Sequence, residues 1–183
     1  VKKNILYFKN NYKGSFVDNF YFIILIISSC PNCNNIYNTR AQVTQFLQLN
    51  VKNSQNNIYD LIIDYFKPKI SIETFYCGKC GLKVNKSKRI YCLTLPNYLI
   101  LELEDKNSVN FNNNIILPLF NGNMCSYQYA SGIYKFRNED VSEFVSVIKK
   151  ENTYDFFSDD KIEKCSKEFI NLECPSLVIY KKD

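Results

Sequence analysis

The sequence contains no histidine and no tryptophan, and it has only five glycines and five prolines. Without imidazole, these residues cannot supply the usual general base at neutral pH. Few breakers set against 14 tyrosines and 14 phenylalanines point to sheets rather than to a loop-dominated small scaffold. Long apolar runs are also missing. The strongest is residues 20–27, far short of the roughly 20 residues that a membrane helix needs. That run is expected to be a buried strand, and no membrane partner is implied. No targeting segment is visible.

What is present suits one globular domain with a core. The chain has 183 residues, 46% hydrophobic and 22% charged, close to ordinary globular values. The net charge of +5 is spread out. Its densest cluster, Lys83-Val84-Asn85-Lys86-Ser87-Lys88-Arg89, reads as a solvated hairpin, with a nucleic-acid patch as the alternative. The abundant asparagines are taken as polar loop filler.

Alternation and turn signals place strands at residues 5–8, 20–27, 43–51, 88–93 and 95–103, and later at 115–119, 127–134, 143–148 and 177–180. Lys13-Gly14-Ser15 is expected to be a turn. Ile58, Leu61, Ile62 and Tyr65 fall at helical spacing, with Ser54 and neighbouring asparagines as caps and Lys67-Pro68 as the stop. Residues 160–169 are expected to hold a short helix or turn. The fold class is α+β, mostly antiparallel β.

Eight cysteines raise the question of disulfides or metal. Four fall in two pairs, Cys30-Pro31-Asn32-Cys33 and Cys77-Gly78-Lys79-Cys80. A two-residue gap lets one tight turn aim two sulfurs at the same ion, and two such turns complete a tetrahedral zinc site. Gly78 and Gly81 relieve crowding in the second turn, and Pro31 stiffens the first. Four thiolates leave no position for water, so the zinc would be structural. With no secretory signal, the pairs argue for metal in a reducing compartment, cytoplasmic or nuclear. Cys92, Cys125, Cys165 and Cys174 lack such spacing and read as ordinary buried thiols.

Around this ribbon the motifs resemble the ubiquitin-specific proteases, papain-like deubiquitinases shaped as a hand with fingers, palm and thumb. The family's "F-x-x-L-x-L" strand has its counterpart in Phe46-Leu47-Gln48-Leu49-Asn50-Val51. "Y-x-C-x-x-C" appears as Tyr76-Cys77-Gly78-Lys79-Cys80 with Phe75 before it. "K-x-x-I-x-x-L-P" is matched by Lys88 to Pro96, and "L-I-I-x-L" by Leu99-Ile100-Leu101-Glu102-Leu103. Tyr127 to Tyr134 resembles the strand leading to the catalytic His, and Ser142-Glu143-Phe144 the "G-H-Y" strand. Tyr154 to Ile162 resembles "W-Y-x-F-D-D-x-x-V", and Leu177-Val178-Ile179-Tyr180 the closing strand.

The resemblance implies a single partial domain over 1–183, with zinc-ribbon fingers at 20–92, a palm at 93–183 and the thumb absent. It also implies departures. No Cys box precedes Cys30. Glu143 stands where the family has its His, and Ser158 where it has its carboxylate, unless a one-residue shift brings in Asp159. Asp105-Lys106 replaces the usual Arg-Phe. Glu143, Asp159 and Asp160 are read as exposed or capping carboxylates rather than as a site. The expected function is a catalytically degenerate ubiquitin hydrolase-like domain that binds ubiquitin, a ubiquitin-like protein or other subunits of a complex. The alternatives are part of an active deubiquitinase whose thumb lies outside this chain, and a zinc ribbon that binds nucleic acid.

Overall fold

The computed structural model describes residues 15–51, 57–103, 109–138, 141–151, 153–158, 161–166 and 174–183. The expectations for residues 5–8, Gly14, Ser54, Asp105, Lys106, Asp159 and Asp160 lie outside them. A short helix α1 (Ser15–Phe20) leads into β1 (Phe22–Ser29), then β2 (Ile36–Thr44), β3 (Phe46–Leu49) and helix α2 (Ile58–Phe66). β4 (Lys69–Tyr76), β5 (Lys83–Cys92), β6 (Tyr98–Leu103) and β7 (Asn114–Pro118) follow. The chain closes with β8 (Met124–Asn138), β9 (Val141–Lys150), β10 (Thr153–Ser158), β11 (Lys161–Cys165) and β12 (Cys174–Lys182).

These strands make two sheets. The smaller has the order β2-β1-β5-β4, and all its pairings are antiparallel. The larger has the order β11-β10-β9-β8-β12-β6-β3, with β7 added beside β8. β3 is parallel to β6, while every other described pair in this sheet is antiparallel. β1 links the two bodies. Its branched run Phe22-Ile23-Ile24-Leu25 is buried, and Phe22 and Ile24 enter the main core with Leu47, Leu99, Leu101 and Val178.

Helix α2 forms as its sequence requires. Asn57 caps it: its side-chain carbonyl accepts from the Asp60 N–H at 2.9 Å, and its amide donates to the Asp60 carboxylate at 2.6 Å. Ile58, Leu61 and Ile62 then bury one face. Pro68 forces Lys67 into extended backbone, φ −62 and ψ 149, and the helix ends there.

Two sequence expectations need correction. Residues 43–51 are not one strand: the chain bends at Gln45, so that β2 stays in the small sheet and β3 joins the large one. Alternation continues across the bend, which hides it from a pattern argument. Of the turn expected at Lys13-Gly14-Ser15, Lys13 and Gly14 lie outside the described residues, and Ser15 opens α1, where Phe16 meets Phe20 and Phe20 stacks on Tyr98. Residues 161–165 are a strand rather than a helix or turn, because Ile162 and Lys164 pair back onto Phe157 and Asp155 in a hairpin.

The core side of β8 is dense with tyrosines. The Tyr129 and Tyr134 hydroxyls meet at 3.2 Å, Tyr180 donates to the Asn112 carbonyl at 2.7 Å, and Tyr154 donates to the Asn113 side chain at 3.1 Å. Gly132 lies between these rings. A Cβ there would stand 2.8 Å from the Tyr134 ring, 3.1 Å from the Tyr129 hydroxyl and 3.2 Å from the Leu177 carbonyl. Gly132→Ala should therefore cost about 1–3 kcal/mol of stability by overpacking. Urea unfolding measures this, and an unchanged midpoint would contradict the packing described.

Candidate metal centre

The two cysteine turns cap the two hairpins of the small sheet, one between β1 and β2 and the other between β4 and β5. β1 and β5 are neighbours, and their pairing ends at Ser29 opposite Ser87. Both tips therefore emerge at the same end of the sheet. They have the same backbone design. The Cys30 N–H donates to the Asn35 carbonyl at 2.9 Å and the Asn34 N–H to the Cys30 carbonyl at 2.8 Å. In the second turn, Cys77 N–H donates to the Leu82 carbonyl at 2.9 Å and Gly81 N–H to the Cys77 carbonyl at 2.8 Å.

The sulfurs converge. Cys30 Sγ lies 3.8 Å from Cys80 Sγ, and Cys33 Sγ lies 3.6 Å from Cys77 Sγ. All four fall within 4.8 Å of one another. Thiolates about 2.3 Å from one ion at tetrahedral corners would be separated by about 3.8 Å, so the spacing fits a single ion held by four sulfurs. Cys30 and Cys77 are buried, whereas Cys33 and Cys80 reach partly to the surface. The four cysteines named from the sequence come together, and among the described residues they form the one group of metal-ligating side chains.

Local fields favour a thiolate on one side of the cluster. Backbone N–H groups of Cys80 and Lys79 point at Cys77, and against the effect of burial they pull its thiol down to about 6. At Cys33 the Asn35 N–H acts in the lowering direction. Burial and the neighbouring Cys30, Cys77 and Cys80 outweigh it and push the thiol up to about 11. Negative charge gathered on adjacent sulfurs is what a divalent cation relieves.

The asparagines dismissed as filler include one with a job here. Asn34 has φ 55, matching Gly81 at φ 69 in the partner turn. Each is the fourth residue after its first cysteine, at the position that must be left-handed for the loop to return. Asparagine tolerates that region better than other non-glycine residues, and this is the signal that the sequence offered. Gly78, by contrast, has no positive φ and open space around it, so the turn does not demand glycine there. The flanking aromatics divide similarly. Phe75 packs on Tyr37 with ring centroids 4.4 Å apart, while Tyr76 remains 70% exposed.

The remaining sequence candidates are scattered. Cys92 is buried, and burial followed by the nearby Cys125 pushes its thiol up to about 12. Cys125 and Cys165 are only partly buried. Glu143 sits on β9 opposite Phe136, and Ser158 ends β10 opposite Lys161. The Lys83–Arg89 cluster lies along β5 itself, where Lys86 pairs with Glu73 at 2.8 Å. Among the described residues, no helix is long and apolar enough to cross a membrane.

Asn34→Gly should leave metal affinity and stability unchanged or slightly improved. Asn34→Val should destabilise the tip by about 1–2 kcal/mol, because a branched side chain is strained in left-handed backbone. Thermal unfolding of the metal-loaded protein checks this, and equal tolerance of both changes would contradict the turn geometry.

No protein-family model matches the sequence, and no curated protein matches it. Solved structures do. A chain in the structure of yeast SAGA DUBm superposes with a TM-score of 0.83 at 17% identity, covering 98% of this chain and 45% of its own length. A chain of the SAGA DUB module of Ubp8, Sgf11, Sus1 and Sgf73 bound to ubiquitin aldehyde gives 0.80 at 16%, covering 95% and 44%. The same module bound to monoubiquitin gives 0.77 at 17%, covering 91% and 41%. The present chain thus spans less than half the length of the chains that it matches. With the sheet order and the four-cysteine tip, the similarity establishes a fingers-and-palm fold like that of the ubiquitin-specific proteases.

Proposed function

We propose that this chain is a ubiquitin hydrolase-like module that binds ubiquitin or another protein of a complex, holds one structural zinc ion, and does not itself cleave isopeptide bonds. Residues 20–92 act as the fingers and residues 93–183 as the palm. Zinc is the ion because four thiolates at tetrahedral spacing suit it and leave no coordination position for water.

One observation carries the inactive reading. The chain has no histidine, and Glu143, on β9, stands at the position that by motif resemblance is the family's catalytic His. An imidazolium stabilises a cysteine thiolate and returns the proton to the leaving amine. A carboxylate beside a thiol raises the thiol's pKa and opposes the first of these steps. Binding to ubiquitin draws support from the fold and from two of the matched structures, which hold monoubiquitin and ubiquitin aldehyde. A second reading, in which this chain is part of an active thiol-dependent deubiquitinase, draws support from the 41–45% coverage of the matched chains. Glu143 weighs against it, because that position lies inside the chain.

The zinc-loaded protein should show no turnover of a fluorogenic ubiquitin substrate and no labelling by an active-site ubiquitin probe, while labelled ubiquitin binds in the micromolar range. Turnover, or covalent capture of any cysteine by the probe, would overturn the inactive reading. Absence of ubiquitin binding at high micromolar concentration would leave a scaffold for other subunits as the function.

A further inference from the structure

The candidate metal centre offers four sulfurs and, in a chain without histidine, no imidazole, so every donor is oxidisable. The four are not equally placed. Cys30 and Cys77 are buried, whereas Cys33 and Cys80 reach partly to the surface. The close sulfur contacts run between the two turns and join one of each kind, Cys33 to Cys77 at 3.6 Å and Cys30 to Cys80 at 3.8 Å. Each sulfur that solvent reaches thus has a sheltered partner on the opposite hairpin.

The turns are stiffer than the hairpins that carry them. Each is closed by backbone hydrogen bonds of 2.8 and 2.9 Å, and each holds one residue in left-handed backbone, Asn34 or Gly81. Joining two sulfurs within a turn would deform that frame. Joining them across the turns asks only that the tips close by under about 2 Å, to reach an S–S bond of about 2.0 Å. The hairpins permit this movement. β2 and β4 are mostly exposed, and a segment with few buried contacts shifts at low cost.

We propose that the cluster is a modification site for hydroperoxides, whose reaction expels the metal and leaves two cross-turn disulfides, Cys33–Cys77 and Cys30–Cys80, that keep the tips joined. Metal-bound sulfurs are thiolates, the nucleophilic form. The Cys33 or Cys80 thiolate attacks the peroxide, its S–O bond forms as the O–O bond breaks, and the leaving oxygen takes a proton to become water or an alcohol. The sheltered partner thiolate then attacks the sulfenic sulfur, the S–S bond forms, and hydroxide departs and is protonated to water. For each disulfide, two thiolates give up two electrons, one hydroperoxide is reduced and two protons are consumed. Two rounds remove all four donors, and the ion leaves. The inference rests on the four-sulfur metal reading, which metal content before oxidation tests by itself.

The test uses the full chain purified without oxygen, with its zinc counted by elemental analysis before any oxidant is added. Hydrogen peroxide should then release about one zinc for every two disulfides formed, read with a chromophoric chelator. After free thiols are blocked with N-ethylmaleimide, non-reducing digestion should yield peptides linked through Cys33–Cys77 and Cys30–Cys80. Tryptic cleavage after Lys79 separates Cys77 from Cys80, and fragmentation before Pro31 separates Cys30 from Cys33. The oxidised, zinc-free protein should melt about 5 °C or more above reduced protein stripped by a chelator. Absence of zinc at the start would overturn the metal reading and this inference with it. With zinc present, any other pairing, Cys30–Cys33 and Cys77–Cys80 above all, would overturn this inference alone. So would sulfinic or sulfonic acids without disulfides, zinc retained while Cys125 or Cys165 is oxidised, or equal melting of the two zinc-free forms.

Discussion

Four sulfurs placed to hold one ion are the constraint on which the small sheet depends. The strands that carry them bury little. Most of β2 and most of β4 face solvent, and the buried part of β1 is its first half, next to the main core. Burial therefore weakens steadily toward the hairpin tips, and strand pairing alone holds exposed ribbons poorly. The 43 positions from 34 to 76 separate the two cysteine turns in sequence, and a bond through an ion there would remove the freedom of that long loop. A metal held there would supply at the tip what the core supplies at the base.

The large sheet solves a different problem. Its inner side is packed with tyrosines whose hydroxyls find partners, at Pro96 for Tyr127, at Asn112 for Tyr180 and at Asn113 for Tyr154. The bonds at Asn112 and Asn113 also fasten the backbone around residues 109–113 onto the sheet, where Phe111 stacks on Tyr129 at 4.5 Å. Gly132 leaves room for two of the rings. The outer side instead leaves Phe46, Ile133, Phe144, Ile148 and Ile162 exposed.

Legibility in the sequence followed the range of the forces involved. The cysteine turns, the cap at Asn57 and the stop at Pro68 are set by neighbours a few positions away, and they could be read directly. The break at Gln45 could not, because nothing local distinguishes a strand that continues from one that changes sheets. The hairpin strand at 161–165 was hidden because its lysines and glutamate resemble a helix surface, and only pairing with β10 fixes it as extended. Asn34 was legible in principle: spacing it against Gly81 across the two turns exposes the shared left-handed position. The exposed apolar side chains of the large sheet, such as Phe46, Ile133 and Ile148, come from separate strands, and no single segment announces them.

X-ray absorption at the zinc edge, taken on protein purified without added metal chelators and paired with elemental analysis, is the direct measurement. One zinc per chain with four sulfur neighbours at about 2.3 Å is the result expected from the cluster. Substoichiometric metal, or nitrogen and oxygen neighbours in place of sulfur, would contradict it.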